Sequence, residues 1–419
     1  MNSKLDYSKN KLGKNRFYSD FLTRLFFEGF AKTENQRSLE TNTLIGHIRY
    51  LNGGLFLKHK IELKYEGKIR IPDQAFENLF RLFDKYSWTL DDTPGGKDNE
   101  MNPDVLGYIF EKYINQKAFG AYYTRPEITE YLCEQTVYKL ILDEVNKNFI
   151  NPAIMEQAGL NKFAKAGKYD SIAELLLHLD AFTCRQLVVG PEAIIPNLSL
   201  LDPACGSGAF LVAAMKTLIN IYSAVIGKIE FLNDKKLNEW KRGIEQSHPS
   251  INYYIKKQII TNNLYGVDLM EEATEIAKLR LFLALVASAE SVEQLEPLPN
   301  IDFNILSGNS LIGLMRVDPS RFDQQVSISQ KKVKGKEVLP ASLFRPGVIQ
   351  TNMFSEEHSK SYQQLIKEKE AAINSYRNAY ELGISDLEGL KKDIEKREEE
   401  ANAILDSLLL EEFTSLGIT

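Results

Sequence analysis

Apolar and polar residues follow patterns along this chain that predict both helices and strands. In residues 17–113, and again from 353 to about 413, apolar positions recur at helical spacing among polar and charged ones. Between these regions, short apolar runs stop at an acidic or polar residue and a loop, which predicts strands in residues 198–202 and 264–269 and a third strand with its terminal loop in 300–311. Longer apolar runs predict helices that pack on the sheet, in residues 209–221 and 271–289.

Strands that alternate with helices predict the α/β fold class. We expect a helical region over residues 1–116, an α/β core over 117–316, and a linker with a long charged helical hairpin over 317–419. The polar segment 231–250 is predicted to be a surface insertion. In the helical region, Asp73 is predicted to cap a helix over the next residues.

The size and composition are those of an ordinary globular protein. A chain of 419 residues is too long for one typical core and predicts two or three domains. Hydrophobic residues make up 43% and charged residues 26% of the chain, which is common in soluble domains. The net charge of −6 neither supports nor excludes DNA binding, because nucleic-acid binders are basic locally rather than overall.

Cysteine and histidine usage predicts no metal site and a reducing, cytoplasmic setting. The 3 cysteines, Cys133, Cys184 and Cys205, are far apart and form neither a disulfide framework nor a zinc pattern. The amino terminus has no apolar core of a signal peptide, and the apolar stretch 281–289 is too short to span a bilayer. Glu62-Leu63-Lys64 is half of a nuclease signature without its upstream acid, and we interpret it as a solvated strand face.

The segment Asp202-Pro203-Ala204-Cys205-Gly206-Ser207-Gly208 carries the clearest chemistry. It predicts a strand, a tight turn and a helix, with glycines that let the backbone pass close to a nucleotide-like cofactor. The dinucleotide fingerprint requires a third glycine, but Leu211 stands at that position. No Gly-Lys-Ser/Thr follows, so the loop is not a triphosphate cradle. A glycine turn in an unrelated α/β domain is the alternative.

This segment closely resembles motif I of DNA methyltransferases that modify exocyclic amino groups. Residues 120–127, 264–269 and 300–311 resemble motifs X, II and III of the same enzymes. Over residues 17–315, the chain resembles the methyltransferase part of Type IIG restriction–modification enzymes, within the gamma-class adenine-N6 DNA methyltransferases. The resemblance implies an incomplete Rossmann-like methyltransferase sheet, and makes 117–316 a core that binds S-adenosylmethionine.

The resemblance also implies a role for each motif. Motif I would form the cofactor loop with Asp202, Pro203, Ala204, Cys205, Gly206 and Gly208. Motif X would close over the methionine end of the cofactor with Ala121, Tyr122 and Thr124, although this chain has an extra Arg125 before the proline. Asp268, where the family often has glutamate, would bind ribose beside Leu269, and Asn309 would receive the adenine amino group. Thr124 in a plain capped helix, and Asp268 and Asn309 as turn residues, are the alternatives.

One family motif is absent, so no catalytic residue can be nominated. Adenine-N6 methylation in this family uses Asn/Asp-Pro-Pro-aromatic, whose carbonyl oxygens draw protons from the amine while the aromatic ring stacks on the flipped base. The sequence contains no Pro-Pro, and Asn102-Pro103 and Asn151-Pro152 both precede motif I. We therefore expect the chain to be inactive alone.

The implied partners are double-stranded DNA with an adenine target and a carboxyl-terminal methyltransferase and target-recognition half. Without a fourth strand beside it, the strand at 198–202 would expose unpaired N–H and C=O groups, which a partner or a longer chain would complete. The alternative function is a non-catalytic subunit of a restriction system that binds S-adenosylmethionine or DNA.

Overall fold

The computed structural model describes residues 2–51, 55–88, 100–101, 103–112, 124–147, 168–289, 291, 294–311, 362–384 and 386–415. The chain forms two compact units, residues 1–311 and 312–419. Motif X residues Ala121 and Tyr122 lie outside the described part, and so do Asn151 and Pro152.

The first unit combines short helices with small parallel sheets. Its amino-terminal helices are α1 (Asn2–Tyr7), α2 (Leu39–Ile45), α3 (Lys60–Lys64), α4 (Asp73–Phe83) and α5 (Pro103–Phe110). The next helices are α6 (Pro126–Cys133), α7 (Lys139–Lys147), α8 (Ile172–Leu177), α9 (Ala181–Val188), α10 (Ala209–Leu232), α11 (Lys235–Ser247), α12 (Ile251–Gln258) and α13 (Glu271–Val286). The strands are β1 (Ser87–Trp88), β2 (Glu100–Met101), β3 (Leu200–Asp202), β4 (Leu264–Asp268) and β5 (Ile305–Ser307).

The strands β3, β4 and β5 form a parallel sheet in that order, as expected for an α/β core. Leu200 pairs with Leu264, Asp202 with Gly266, and Gly266 with Ile305. Helices α10 and α13 both contact β4, and Leu264 and Ile305 are buried. The carboxyl ends of the strands therefore meet at one edge, where motifs I, II and III end.

Helix α10 is the center of the core and is longer than the sequence pattern suggested. Among the described residues, it is the one helix long and apolar enough to cross a membrane, by length and composition. Leu218, Ile221 and Val225 of α10 are fully buried among protein side chains. A helix in a protein core can have the same length and apolar composition as one that spans a membrane. Burial within the protein explains the apolar composition of α10.

Several local predictions were wrong for identifiable reasons. Glu62 lies in helix α3, where its carboxylate accepts the N–H of His59, so the segment is not a strand face. Asp73 does not cap α4; its carboxylate accepts the N–H groups of Asn15 and Phe17. The predicted surface insertion at 231–250 is not contradicted: it contains helix α11, which is capped by Asp234 and buries two apolar side chains.

The second unit contains the predicted helical hairpin, formed by α14 (Tyr362–Arg377) and α15 (Leu387–Ser415). Gly383 adopts φ +68° between the helices, as the predicted break requires. Arg397 of α15 pairs with Glu368 of α14 at 2.7 Å, and Tyr376 and Ile394 are fully buried.

Candidate cofactor site

Asp202 and Asp268 lie at the carboxyl ends of adjacent strands. Asp202 ends β3 opposite Gly266, and Asp268 ends β4 two residues further on. The N–H of Gly206 in the intervening loop donates to Oδ2 of Asp268 at 2.8 Å. The N–H of Met270 donates to the other carboxylate oxygen at 2.9 Å. Asp268 therefore ties the motif I loop to the end of β4, a contact over 62 positions of sequence.

Gly208 is required where the loop enters α10. It adopts φ +87°, a left-handed conformation that residues with a Cβ rarely take. A Cβ at this position would lie 3.0 Å from the Cβ and 3.2 Å from the Cα of Ala277 in α13. The glycine thus gives both the turn and the close approach of α10 to α13.

The backbone N–H groups of this loop are directed to acceptors within the protein. The N–H of Ala204 donates to Asp202 Oδ1 at 3.0 Å, and that of Ser207 to Glu111 Oε1 at 3.0 Å. The N–H groups of Cys205 and Gly208 donate to the carbonyl oxygens of Val267 and Cys205. Phosphate-binding loops instead present free N–H groups to the anion. The N–H groups of Ala204, Cys205, Ser207 and Gly208 thus already have acceptors within the protein.

Asp202 places a partly buried carboxyl group at the same end of the sheet. Its Oδ2 atom is buried and has no hydrogen-bond partner among the described residues. Burial raises the pKa of Asp202 and the charge of Asp268 raises it further, while the N–H of Ala204 opposes both. A cationic group that reached Oδ2 would relieve this cost, because an opposite charge favours the ionised carboxyl. The site is thus suited to a cation.

The nearby thiol is not a nucleophile in this environment. Burial raises the pKa of Cys205 to about 12, and the charges of Asp202 and Asp268 add to the effect. A thiol with such a pKa stays protonated at neutral pH, and the thiolate is the reactive form. Cys205 therefore packs in the loop, where its Sγ would lie 2.9 Å from a Cβ at Gly266.

Thr124 lies near the helix that follows the loop. Arg125 is the residue before α6 and Pro126 is its first residue, as the sequence predicted for a helix start. A shallow cleft between helices is lined by Thr124, Pro126, Thr129, Glu130, Ala209, Val212, Ala213, Lys216 and Arg280. The cleft joins Thr124 and Pro126, in the described part of motif X, to the first turns of α10, which follow motif I.

Leu269 and Asn309 occupy exposed positions just beyond β4 and β5. The side-chain oxygen of Asn309 accepts the N–H of Leu311 at 2.9 Å, which is a local turn contact. The N–H of Gly308 donates to the carbonyl of Asp268 at 2.8 Å, so the two strand ends are joined. Asn309 therefore follows a residue, Gly308, that contacts the end of β4. Its side-chain carbonyl oxygen already accepts one hydrogen bond, from Leu311.

Sequence reasoning missed Glu111 and Arg280, which both contact Ser207 in the loop. Both are charged yet buried, at 7% and 2% exposed. The available signal was Arg280 itself, a charged residue within the apolar run of α13. Charged residues are almost never fully buried without a partner, so a charged residue within an apolar run indicates a buried polar contact.

The strand–loop–helix unit joins the ends of β3 and β4 at one edge of a three-stranded parallel sheet, which is an arrangement of the α/β class. Residues 190–311, which contain motifs I, II and III, match the family model described as MmeI, DNA-methyltransferase domain. The chain therefore contains a methyltransferase domain of the restriction–modification type, and the resemblance inferred from its motifs is confirmed.

Known proteins give the same assignment. The chain is 35% identical over 327 residues to the putative type II restriction enzyme and methyltransferase RM.MjaORFECS2P of Methanocaldococcus jannaschii, covering 74% of this chain and 25% of that protein. It is 34% identical over 290 residues to the type II restriction enzyme and methyltransferase RM.Eco57I of Escherichia coli, covering 68% and 24%. It is 21% identical over 267 residues to DNA methyltransferase A of Bacillus subtilis, covering 63% and 23%. The chain thus spans about a quarter of the length of these relatives.

Proposed function

We propose that this chain binds S-adenosylmethionine and forms the cofactor-binding portion of a DNA methyltransferase that acts on the N6 amino group of adenine. The observation that carries the proposal is the buried Oδ2 of Asp202, without a partner among the described residues, beside a loop whose N–H groups are engaged. A ligand that fits has positive charge and no phosphate. S-adenosylmethionine has a sulfonium and an α-ammonium group and no phosphate.

Each motif has a role in this proposal. Asp202 faces a cationic group of the cofactor, and Asp268 accepts ribose hydroxyls with the lone pairs that the loop leaves available. Thr124, with Ala121 and Tyr122, closes over the methionine end. Asn309 accepts from the adenine amino group, and the cofactor contacts Pro203, Ala204, Cys205, Gly206, Gly208 and Leu269. The bound cofactor supplies an electrophilic methyl group, and these residues hold and orient it.

Ligand selectivity tests this assignment of the loop. We expect S-adenosylmethionine to raise the Tm of the full chain. A ligand that binds only the folded state stabilises it by about 2.7 kcal/mol when the ligand concentration is 100 times Kd. NAD and ATP should leave the Tm unchanged, because their phosphates need free N–H groups. An equal shift with NAD or ATP, measured by differential scanning fluorimetry, would contradict the proposal.

A partner polypeptide or further segment completes the sheet in this proposal. β3 is at the edge of the described sheet. Leu201 is opposite Tyr265 and Leu306 is opposite Val267, so these side chains share the sheet face turned away from Leu264. Leu201 is 64% exposed and Leu306 is 46% exposed. An open edge beside exposed apolar side chains is suited to another strand and its covering helix.

The added segment carries the catalytic motif. The present sequence contains no Pro-Pro pair, so it offers no Asn-Pro-Pro-aromatic group to accept the adenine amine protons. On this proposal, the chain alone binds cofactor without transferring the methyl group. Double-stranded DNA with an adenine target is the substrate of the completed enzyme.

Substitution of Leu201 tests the partner surface. We expect Leu201→Asp to leave the Tm of the isolated chain within about 1 °C, because surface changes rarely alter stability by more than about 0.5 kcal/mol. The same substitution should abolish assembly with a polypeptide that bears the motif, because it buries a charge. Co-purification of that polypeptide with wild type and variant checks the expectation; Lys235→Asp on α11, an exposed position outside the sheet, is the control. Equal assembly by the Leu201 variant would contradict the proposed surface.

A regulatory subunit is the second candidate, favoured by the same missing motif. The assembled complex distinguishes the two functions. Transfer of labelled methyl groups to DNA supports the methyltransferase, whereas cofactor binding with no transfer in the complex supports the regulator.

A further inference from the structure

Two buried charged side chains outside the family motifs converge on Ser207. Glu111 follows α5, and Arg280 lies in α13. Oε1 of Glu111 accepts the N–H of Ser207 at 3.0 Å. Nη1 of Arg280 donates to the carbonyl oxygen of Ser207 at 2.9 Å and to its Oγ at 3.2 Å. The two charges therefore hold opposite ends of one loop residue.

These contacts fix the peptide groups on both sides of Ser207. The N–H belongs to the peptide that follows Gly206, and the carbonyl belongs to the peptide that precedes Gly208. Both glycines have positive φ, +52° and +87°, and glycine has the greatest backbone freedom of any residue. Without the two side chains, the peptide groups beside Ser207 would lose these restraints, although Asp268 still accepts the N–H of Gly206. With them, its orientation is set before a ligand arrives, which lowers the cost of binding.

Space for the contacts is made by missing side chains. A Cβ on Gly206 would lie 2.8 Å from Oε1 of Glu111. A Cβ on Gly107, in α5, would lie 2.6 Å from Nη1 of Arg280 and 3.1 Å from Oγ of Ser207. Arg280 is 2% exposed and has little room to move away. The position of its guanidinium thus depends on the absence of a side chain at Gly107.

We propose that Glu111 and Arg280 are positioning residues that hold the cofactor loop in its binding conformation. The inference rests on the proposed function, because it assumes that this loop binds S-adenosylmethionine. It makes α5 of the helical region part of the cofactor site, although α5 carries no family motif. Cofactor affinity should then depend on residues that do not touch the cofactor.

The first test uses Gly107→Ala, which adds one methyl group beneath Arg280. Alanine is a better helix former than glycine, so the helix itself does not suffer. We expect affinity for S-adenosylmethionine, measured by calorimetry on the full chain, to fall about tenfold, as when one buried hydrogen bond is lost. The matched control is Gly243→Ala in α11, where a Cβ would meet nothing within 4 Å. The control should bind as wild type does.

The second test separates positioning from folding at Glu111. Glu111→Ala removes the acceptor and should weaken binding about tenfold or more. Glu111→Gln keeps an acceptor oxygen and should recover most of the affinity. Glu296→Gln, at a partly buried carboxylate that contacts His248 and Lys257, controls for loss of a paired carboxylate charge and should bind normally.

The outcomes are distinct. If wild type binds and both Gly107→Ala and Glu111→Ala bind equally well, the inference is wrong and the proposed function stands. If Glu111→Ala lowers only the Tm, and Gly107→Ala binds S-adenosylmethionine as tightly as wild type, Glu111 and Arg280 stabilise the fold without positioning the loop. The inference is then again wrong. If folded wild type does not bind, the proposed function fails and this inference fails with it.

Discussion

Asp202→Asn should leave the ligand-free chain at least as stable as wild type while weakening S-adenosylmethionine binding about 100-fold. The Oδ2 atom of the carboxylate is buried and has no partner among the described residues, so the charge is a cost to the free protein. The same charge is the expected partner of the cationic cofactor. Chemical denaturation and calorimetric titration of the two proteins measure the two effects separately.

The contribution of Asp202 to the free energy of unfolding depends on pH, and the direction of its pKa shift gives the sign. The pKa of Asp202 is raised above its ordinary value of 3.8, first by burial and then by Asp268, against the N–H of Ala204. The folded state therefore binds this proton more tightly than the unfolded state. The destabilising contribution is absent below pH 3.8, grows as the pH rises from 3.8 to the folded pKa, and is fully present above the folded pKa. Asn lacks this contribution, so the stability gap between variant and wild type should widen from acid to neutral pH.

Asp180→Asn is a suitable control for Asp202→Asn. Asp180 also accepts a backbone N–H with its carboxylate, that of Thr183 at 2.7 Å, at the start of α9. The control should retain cofactor affinity. Equal affinity of Asp202→Asn and wild type would exclude Asp202 as the partner of the cofactor's positive charge.

Gly208→Ala should lower the free energy of unfolding by about 2–5 kcal/mol, the sum of left-handed backbone strain and overpacking. The left-handed φ of +87° and the approach to Ala277 at 3.0 Å act together at this position. Urea denaturation of the variant against wild type gives the change directly. Residual folded protein should bind cofactor poorly, because the loop must shift to relieve the contact.

The clash at Gly208 can be separated from the strain. Ala277→Gly removes the Cβ that the new methyl group meets, while the backbone contact at 3.2 Å and the φ remain. The double variant should recover only the part of the stability lost to the Cβ contact. If the loss of stability in the double variant equals the sum of the losses in the two single variants, the Cβ of Ala277 does not restrict position 208.

Local signals in the sequence were enough for the strands and the loop. The runs that end at Asp202 and Asp268 are strands in the structure, because apolar residues followed by an acid and a turn leave few alternatives. The glycines of the loop have the expected positive φ. Family motifs then placed these residues at adjacent strand ends, which neither periodicity nor composition could have done.

Side-chain contacts between segments distant in sequence could not be predicted from local sequence patterns. Glu111 and Ser207 are 96 positions apart, and no local pattern indicates that a helix after Gly107 reaches the loop. Asp73 was assigned to a cap because it precedes apolar residues at helical spacing, but the N–H groups of Asn15 and Phe17 compete for its carboxylate. Side-chain partners of this kind depend on tertiary packing, so a local rule cannot choose among them.

We propose that the loop from Asp202 to Gly208 holds S-adenosylmethionine through the positive charge of the cofactor. The most direct measurement is a calorimetric titration of the folded full chain with this ligand, with Asp202→Asn titrated in parallel. We predict a single saturable site in wild type and a loss of affinity of about 100-fold in the variant. No saturable heat from folded wild-type protein would contradict the account.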